Sequence, residues 1–423
     1  MRQGVTLDDR PEGDAALDVL FAAAVVAGGV ADGEAAAAAG GAGRDGAAAS
    51  GFAGWLARWS AAGGVAPALE LARRVGEDAP LPGRGRTAEY FETLATLAAA
   101  DVAVARVVEP QLDALAILAE CPDPVDLAAI GADADSTWGV FAAEGPGVRL
   151  TATTTAGAAT AAQDARGWTL SGTKPWCSLA GDLSHALVTA HVERPDGGSE
   201  RRLFAVGLQR GGVVVHPEAW ISRGMPTVPS GPVDFDAVPA VPVGAPGWYL
   251  ERDGFEWGGI GVAACWFGGA VGVARRVLDA AGRRDDDLGA LHAGRCATAL
   301  FAARSALAAA AARIDAGPMA REGARVLAQE VRSLVRGCCD TVLREAGHAL
   351  GPAPLALDES YAARVADLEL YLLQDHGARD ELRLGRMLVE RARRETDAVA
   401  SGAVAPDVVA SDPVAPGAGG AVR

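Results

Sequence analysis

The chain has 423 residues, enough for two or three domains, and half of them are hydrophobic. Its formal charge is −16, with 54 acidic residues against 38 basic ones and no basic run. That balance excludes a nucleic-acid surface, which depends on clustered Lys and Arg, and favours small or neutral partners.

Residues 1–136 read as a helical domain. The apolar stretch "VLFAAAVVAGGVA" (19–31) follows the acidic "TLDDRPEGDAALD", where a signal peptide needs positive charge. It is also too short and too glycine-broken to span a bilayer, so it reads as a buried helix and no membrane partner is expected. Residues 31–51, rich in Ala and Gly, read as a loop or poorly ordered insertion. Helical periodicity returns over 90–120, with a break expected at Pro110.

Residues 137–247 change texture. Short runs such as "VRLTATTTAG", "HALVTAHVE", "RRLFAVGLQR" and "GPVDFDAVPAVPV" are separated by Gly-rich corners, which predicts an antiparallel β-domain of six or seven strands. Over 248–396 the helical pattern resumes in four or five segments, broken at "RRDDDLG", "DAGPMA" and "LGPAPLALDES". Residues 397–423 lack period and bulk and read as a disordered tail. The expected class is α+β: an N-terminal helical domain, a middle β-sandwich or barrel, and a C-terminal antiparallel four-helix bundle. Ala-rich bundle faces of this kind are usually buried against symmetric copies, which predicts a homodimer or homotetramer.

Six cysteines, Cys121, Cys177, Cys265, Cys296, Cys338 and Cys339, form no C-x-x-C pair, and no His stands at ligand spacing. Neither a disulfide framework nor a metal site is expected, and a reducing, cytoplasmic location fits. The stretch "LSGTKPWCSLAGD" (170–182) holds the only lysine, Lys174. Strand alternation would put Trp168, Leu170, Gly172, Lys174 and Trp176 on one face. Trp176 would offer a flat apolar surface to a ring system, and Gly172 would let backbone approach closely. Lys174 reads as a structural or interface charge rather than a catalyst, and a Trp176 buried without any ligand is the plain alternative.

The helical–β–helical order and the strand "GWTLSGTKPWCS" (167–178) resemble the acyl-CoA dehydrogenase superfamily. Gly167, Leu170, Gly172, Lys174, Trp176 and Ser178 fall on its Gly-x-x-Leu-x-Gly-x-Lys-x-(Trp/Phe)-Ile-(Thr/Ser) pattern. The stretch "RGMPTVPSGPVDFDAVPAVPV" (223–243) continues the likeness, with Phe235 and Val238 in step, and "LERDGFEWGGIGVAACWFGG" resembles the first helix of the family's bundle. The match runs over most of residues 90–395.

The resemblance implies FAD between the β-domain and the bundle, with Trp176 packed against the flavin and Ser178 bonded to the edge of its ring. With Asp367 on the family's Asp and Tyr371 four residues on, Asp375 takes the place of the catalytic Glu, His376 that of a Gly, and Gly377 that of a Thr. In "REAGHALGPAPL" (344–355), His348 replaces a nucleotide-contacting Gln, Gly351 is kept, and Pro352 and Pro354 replace glycines. His348, Gly351, Gly377 and Arg379 complete the expected cofactor set. Two motifs depart from the family: of the flavin-binding Thr-Glu stretch only Glu144 matches, and "HAGRCATALFA" (292–302) stands where Arg-x-x-Phe-Gly is usual.

The implied activity is FAD-dependent α,β-dehydrogenation of an acyl thioester, carried by CoA or a carrier protein, with an electron-transfer flavoprotein as a further partner. Asp375 would be the base, one methylene shorter than Glu. Two alternatives stand beside it: a flavin-dependent oxygenase or oxidase on the same fold, served by His376, and a non-catalytic subunit of a heteromeric complex. The plain reading of "QDHGARDE" is a solvated helical face with an Asp375–Arg379 pair.

Overall fold

The computed structural model describes residues 65–154, 167–284 and 286–401. The helix and loop expected within residues 19–51 lie outside these, as does the tail beyond residue 401.

Three helices open the described chain. Helix α1 (Ala66–Asp78) carries Pro67 in its first turn and buries Ala68, Leu69, Leu71, Ala72 and Val75, an apolar stripe at helical spacing. The break expected at Pro110 falls instead at Asp101, between α2 (Thr87–Ala100) and α3 (Val102–Glu120). Asp101 is extended, and its carboxylate accepts the Val104 N–H at 3.0 Å, capping α3. Pro110 rides inside α3. A mid-helix proline costs about 3 kcal/mol, outweighed here by the buried Val107, Val108, Leu112, Ala114 and Ile117 around it.

Seven strands follow: β1 (Trp138–Phe141), β2 (Leu150–Thr154), β3 (Trp168–Lys174), β4 (His185–Glu193), β5 (Ser199–Gly207), β6 (Val213–Val215) and β7 (Val233–Val243). They lie in the order β1-β4-β2-β3-β7-β5, and a further β4–β5 pairing closes β4, β2, β3, β7 and β5 into a five-stranded barrel. Closure leaves no free edge in the ring. The sheet is not wholly antiparallel, because β1 and β2 both pair with β4 in parallel. Alternating hydrophobicity reports which face is buried and carries no information about strand direction, so this correction could come only from the fold.

The C-terminal part comprises α4 (Trp248–Glu251), α5 (Gly254–Arg284), α6 (Asp287–Asp315), α7 (Arg321–Leu350), α8 (Ala353–Leu357), α9 (Glu359–Leu372) and α10 (Ala378–Ala400). Helix α5 is central and packs on α2, α3, α6, α7 and α9. Its Gly268 lets α2 approach so closely that a Cβ there would stand 2.0 Å from the Ala95 carbonyl oxygen. Both α5 and α6 are long and apolar enough to cross a membrane by length and composition, but the apolar window of α5 is 72% buried inside the fold. Helix α10 runs to Ala400, past the boundary expected at residue 396.

Candidate functional site

The site is built from the loop that leaves β3. Lys174, the last residue of that strand, is 1% exposed. Its Nζ donates to Glu144 Oε1 at 2.8 Å and to Thr189 Oγ1 at 2.9 Å, and His191 Nε2 stands 3.1 Å from Glu144 Oε2. Burial pushes the Lys174 ammonium below its ordinary pKa, against the pull of Glu144. Burial alone would raise the Glu144 carboxyl, but the bonds from Lys174 and His191 bring it below the usual range. Lys174 therefore pins β3 to β4 and to the β1–β2 connection.

Beyond Lys174 the alternation stops. Trp176 has a left-handed backbone, φ 60°, and is 60% exposed, so it does not share the buried face of Trp168, Leu170 and Lys174. Gly172 does admit backbone, but the group that approaches is the Arg149 carbonyl, 2.2 Å from where a Cβ would be. Leu179 is left-handed as well, and so is Met225 on the facing loop. Among the described residues only Ala237 is a further non-glycine case. Such conformations cost on the order of 1–3 kcal/mol each and persist where surrounding structure fixes them.

Here the fixing bonds are visible. The Cys177 N–H donates to the Gly231 carbonyl at 3.0 Å and the Leu179 N–H to Pro229 at 2.8 Å. Between them Ser178 is buried, its Oγ 2.8 Å from Ser230 Oγ. The facing loop is tied in turn to α9, where the Met225 N–H donates to the Asp367 carboxylate. Burial raises the Asp367 pKa to about 6 despite that bond.

From Ser178 a line of polar side chains runs into the helices. Arg106 Nη2 donates to Ser178 Oγ at 3.1 Å, and Arg106 Nη1 to Glu109 Oε2 at 3.0 Å. The Tyr371 hydroxyl reaches the same Glu109 oxygen at 3.5 Å, and its ring meets Trp266 edge-on at 6.4 Å. Arg332 lies over the other side of this cluster, 4.7 Å from the Trp266 ring centre, and donates to the Gly259 carbonyl at 2.6 Å. Burial lifts the Glu109 carboxyl to about 7, with Arg106 opposing. Burial also pushes the Tyr371 hydroxyl well up and the Arg332 guanidinium down, the latter opposed by Asp375 and Asp380.

Asp375 closes the line, in the turn between α9 and α10. It is 4% exposed; its Oδ1 accepts the Gly377 N–H at 2.7 Å and Arg336 Nη1 at 3.4 Å, while Oδ2 is buried with no hydrogen-bond partner among the described residues. The solvated-helix reading of "QDHGARDE" is thereby corrected. The helix ends at Leu372, Gly377 is left-handed in the turn, and the partner of Asp375 is Arg336 rather than Arg379. His376 is exposed, 3.6 Å from Asp380, and Arg379 is exposed on the first turn of α10.

Asp375, His376 and Gly377 thus share one turn, and the hydrogen-bonded line from Ser178 runs through Arg106 and Glu109 to Tyr371, with Arg332 feeling the charge of Asp375. His348 and Gly351 do not join them. They sit at the end of α7, about 18 Å of helix beyond Arg336, with Gly351 capping the helix at a positive φ of 68°. Arg106, Glu109, Ser230 and Arg332 were missed by the sequence reading. The Arg106–Glu109 pair at i,i+3, the only charges within "VAVARVVEPQL", was the available signal.

No protein-family model and no curated protein sequence matches the chain. Solved structures do. A nitrososynthase from Micromonospora carbonacea var. africana is similar at 20% identity and TM-score 0.65, covering 81% of this chain and 94% of that one. FMN-bound TdsC from Paenibacillus sp. A11-2, a dibenzothiophene monooxygenase, is similar at 18% identity and TM-score 0.67, covering 89% and 98%. KijD3 in complex with FMN and a dTDP-linked amino-keto sugar is similar at 18% identity and TM-score 0.62, covering 81% and 94%. The chain has the fold of the acyl-CoA dehydrogenase superfamily, the family that its β3 strand and its order of elements resemble.

Proposed function

We propose that this chain is a flavin-dependent oxidoreductase that holds its flavin ring against Trp176 and Ser178. The observation that carries the reading is the β3 loop: an aromatic ring held outward by a left-handed backbone, beside a buried hydroxyl fixed from two sides. Backbone strain of this kind gathers at ligand sites. A flat apolar face next to a hydrogen-bonding hydroxyl fits an isoalloxazine ring. FMN is favoured over the FAD implied by the family resemblance. Pro352 and Pro354 remove backbone donors where the family contacts the nucleotide, and the structural relatives include FMN complexes.

When bound, the flavin would supply two-electron redox chemistry and access to oxygen. The chain's own groups would bind and orient. Trp176 and Ser178 would hold the ring, Trp176 by its flat apolar surface and Ser178 by its hydroxyl, and Arg106 places a positive charge on Ser178. Glu109, with a pKa of about 7, can hold or release a proton near neutral pH in contact with Tyr371.

Within this class an oxygen-using reaction is favoured over thioester dehydrogenation. Asp375 is occupied in tying the α9–α10 turn, and it is a methylene shorter than the family's base. The relatives named as a monooxygenase and a nitrososynthase support the same choice. One observation favours dehydrogenation: Asp375 Oδ2 is buried and unpartnered, as a base awaiting a substrate would be. The α6–α7 face is proposed to meet a second copy of the chain.

Titration of the purified protein with FMN and with FAD, followed by flavin fluorescence, tests the cofactor. Trp176→Ala should weaken binding at least about 10-fold, a loss of about 1.4 kcal/mol, and unchanged binding would remove Trp176 from the site. Transfer of an oxygen atom from O2 to an added substrate by the reduced, flavin-loaded protein supports the oxygenase reading, whereas oxygen consumption matched by hydrogen peroxide release does not. Anaerobic bleaching of the flavin by an acyl-CoA would establish the dehydrogenase instead.

A further inference from the structure

Far along α7 from Arg336, the first turns of α6 pack against the last turns of α7. His292 on α6 converges there with Glu345 and His348 on α7, and one donor atom from each lies within 4.8 Å of the other two. His292 Nδ1 is 2.8 Å from Glu345 Oε2, and the two imidazoles meet edge to face with centres 5.9 Å apart. Glu345 and His348, at i and i+3, project from the same side of α7. Glu345 is buried and His348 exposed, so the cluster has a closed floor and an open mouth. A groove of about 950 Å³ along the α6–α7 seam ends at Glu345 and gives solvent a path to it.

The Glu345 carboxylate is held by the His292 imidazole and by the Arg295 and Arg344 guanidiniums. Both arginines reach it from side chains that are more than half exposed, at 3.2 and 3.4 Å. Among the described residues their guanidiniums pair with Glu345 alone, which leaves them room to turn toward solvent when a cation arrives.

We propose that His292, Glu345 and His348 form a binding site for a divalent transition ion, Zn²⁺ foremost, with water in the fourth position. Two imidazole nitrogens and one carboxylate oxygen are a donor set that Zn²⁺ takes in tetrahedral geometry. Mg²⁺ and Ca²⁺ prefer all-oxygen shells and are disfavoured here. On binding, the ion takes the place of the hydrogen bond between His292 and Glu345, His292 ligates as a neutral imidazole with its one proton on Nε2, and α6 is clamped to α7. The sequence showed no metal spacing because the third donor comes from another helix, although Glu-x-x-His is present on α7. The site is independent of the flavin reading.

The test uses the untagged full chain after EDTA treatment, with Zn²⁺ alone in calorimetry and Co²⁺ alone in visible absorption. One saturable Zn²⁺ per chain and a Co²⁺ d–d band are expected, unaffected by excess Mg²⁺. His292→Ala and the surface variant His348→Ala should each weaken Zn²⁺ more than about 10-fold, since removing even an outer partner of a ligand costs that much. Glu345→Gln should do the same, and His216→Ala should change nothing. Absence of saturable binding, or binding undiminished in His348→Ala, would overturn the proposal.

Discussion

Helices α5 and α6 have similar composition and opposite fates. Each carries an apolar window long enough for a membrane, yet that of α5 is 72% buried and that of α6 only 28%. The difference lies in how the residues are used. Helix α5 brings Gly268 against the α2 backbone and packs Trp266 and Cys265 without exposure. Helix α6 turns Leu288, Leu291 and Phe301 outward. The polar groups divide in the same way. Around α5 they form the buried line from Ser178 to Tyr371, whereas at the α6–α7 seam His348, Arg295 and Arg344 remain open to solvent. Apolar content decides that a helix will be covered, and the small residues and large aromatics along it decide whether its own chain does the covering.

The sharpest contrast is between their aromatics. Trp266→Ala should cost about 3–5 kcal/mol in urea denaturation, because the ring is fully buried and supports both Tyr371 and Arg332. A loss below about 1 kcal/mol would mean that the α5 core is not packed as described.

The interior of that core also has a pH signature. Glu109 has a folded pKa of about 7 against an ordinary 4.5, so the folded chain holds an extra proton between those values. Its contribution is fully present below about pH 4.5, falls as pH rises to 7, and stays flat above. Gln mimics the protonated form. Glu109→Gln should therefore match wild type near pH 4.5 and exceed it by up to about 3 kcal/mol at pH 8, less what Arg106 loses with its partner. Asp367, raised to about 6, gives a slope of the same sign in both proteins, so the difference isolates Glu109. A variant less stable than wild type at pH 8 would show Glu109 ionised and held by Arg106.

In the barrel, Lys174→Met should cost about 1–2 kcal/mol by leaving buried Thr189 without its strongest partner. Glu144 is spared a larger penalty because it is partly exposed and keeps His191 and Arg201. A cost above about 4 kcal/mol would mean that Glu144 is buried with Lys174.

Much of this was readable in the sequence, for reasons that particular residues make plain. Strands β2 to β7 were marked by alternation and by glycine corners, and the three helix breaks by Asp, Gly and Pro clusters. Lys174 was read as a structural or interface charge, and it is buried in a pair with Glu144. Pro110 misled because burial around it outweighed its local cost, while the true break at Asp101 carried an N-cap signal that the periodicity overshadowed. Trp176 was placed on the wrong face because alternation was extended through Pro175 into a left-handed turn. Asp375 could not be told from a surface carboxylate, since its burial depends on Arg336 and Arg332 on another helix. The parallel pairing of β1 and β2 with β4 and the Arg106–Glu109–Tyr371 line are likewise products of topology, which no local pattern encodes.

The smallest effect on stability is expected where α6 is open. Phe301 is 62% exposed, with Arg304 over its ring, and it touches little of its own chain's core. Phe301→Ser should change the unfolding free energy at high dilution by no more than about 0.5 kcal/mol. Its effect should appear in mass instead. If the α6–α7 face meets a second copy, the ring is repeated across a symmetric contact, and its loss counts once from each side. Light scattering at micromolar concentration should then show dimer or tetramer for wild type and a shift toward monomer for Phe301→Ser. The Trp266→Ala protein, measured where it remains folded, should keep the wild-type mass. Equal masses for wild type and Phe301→Ser would mean that α6 stays uncovered or is covered elsewhere along its length, at Leu288 and Leu291 near the His292–Glu345–His348 cluster.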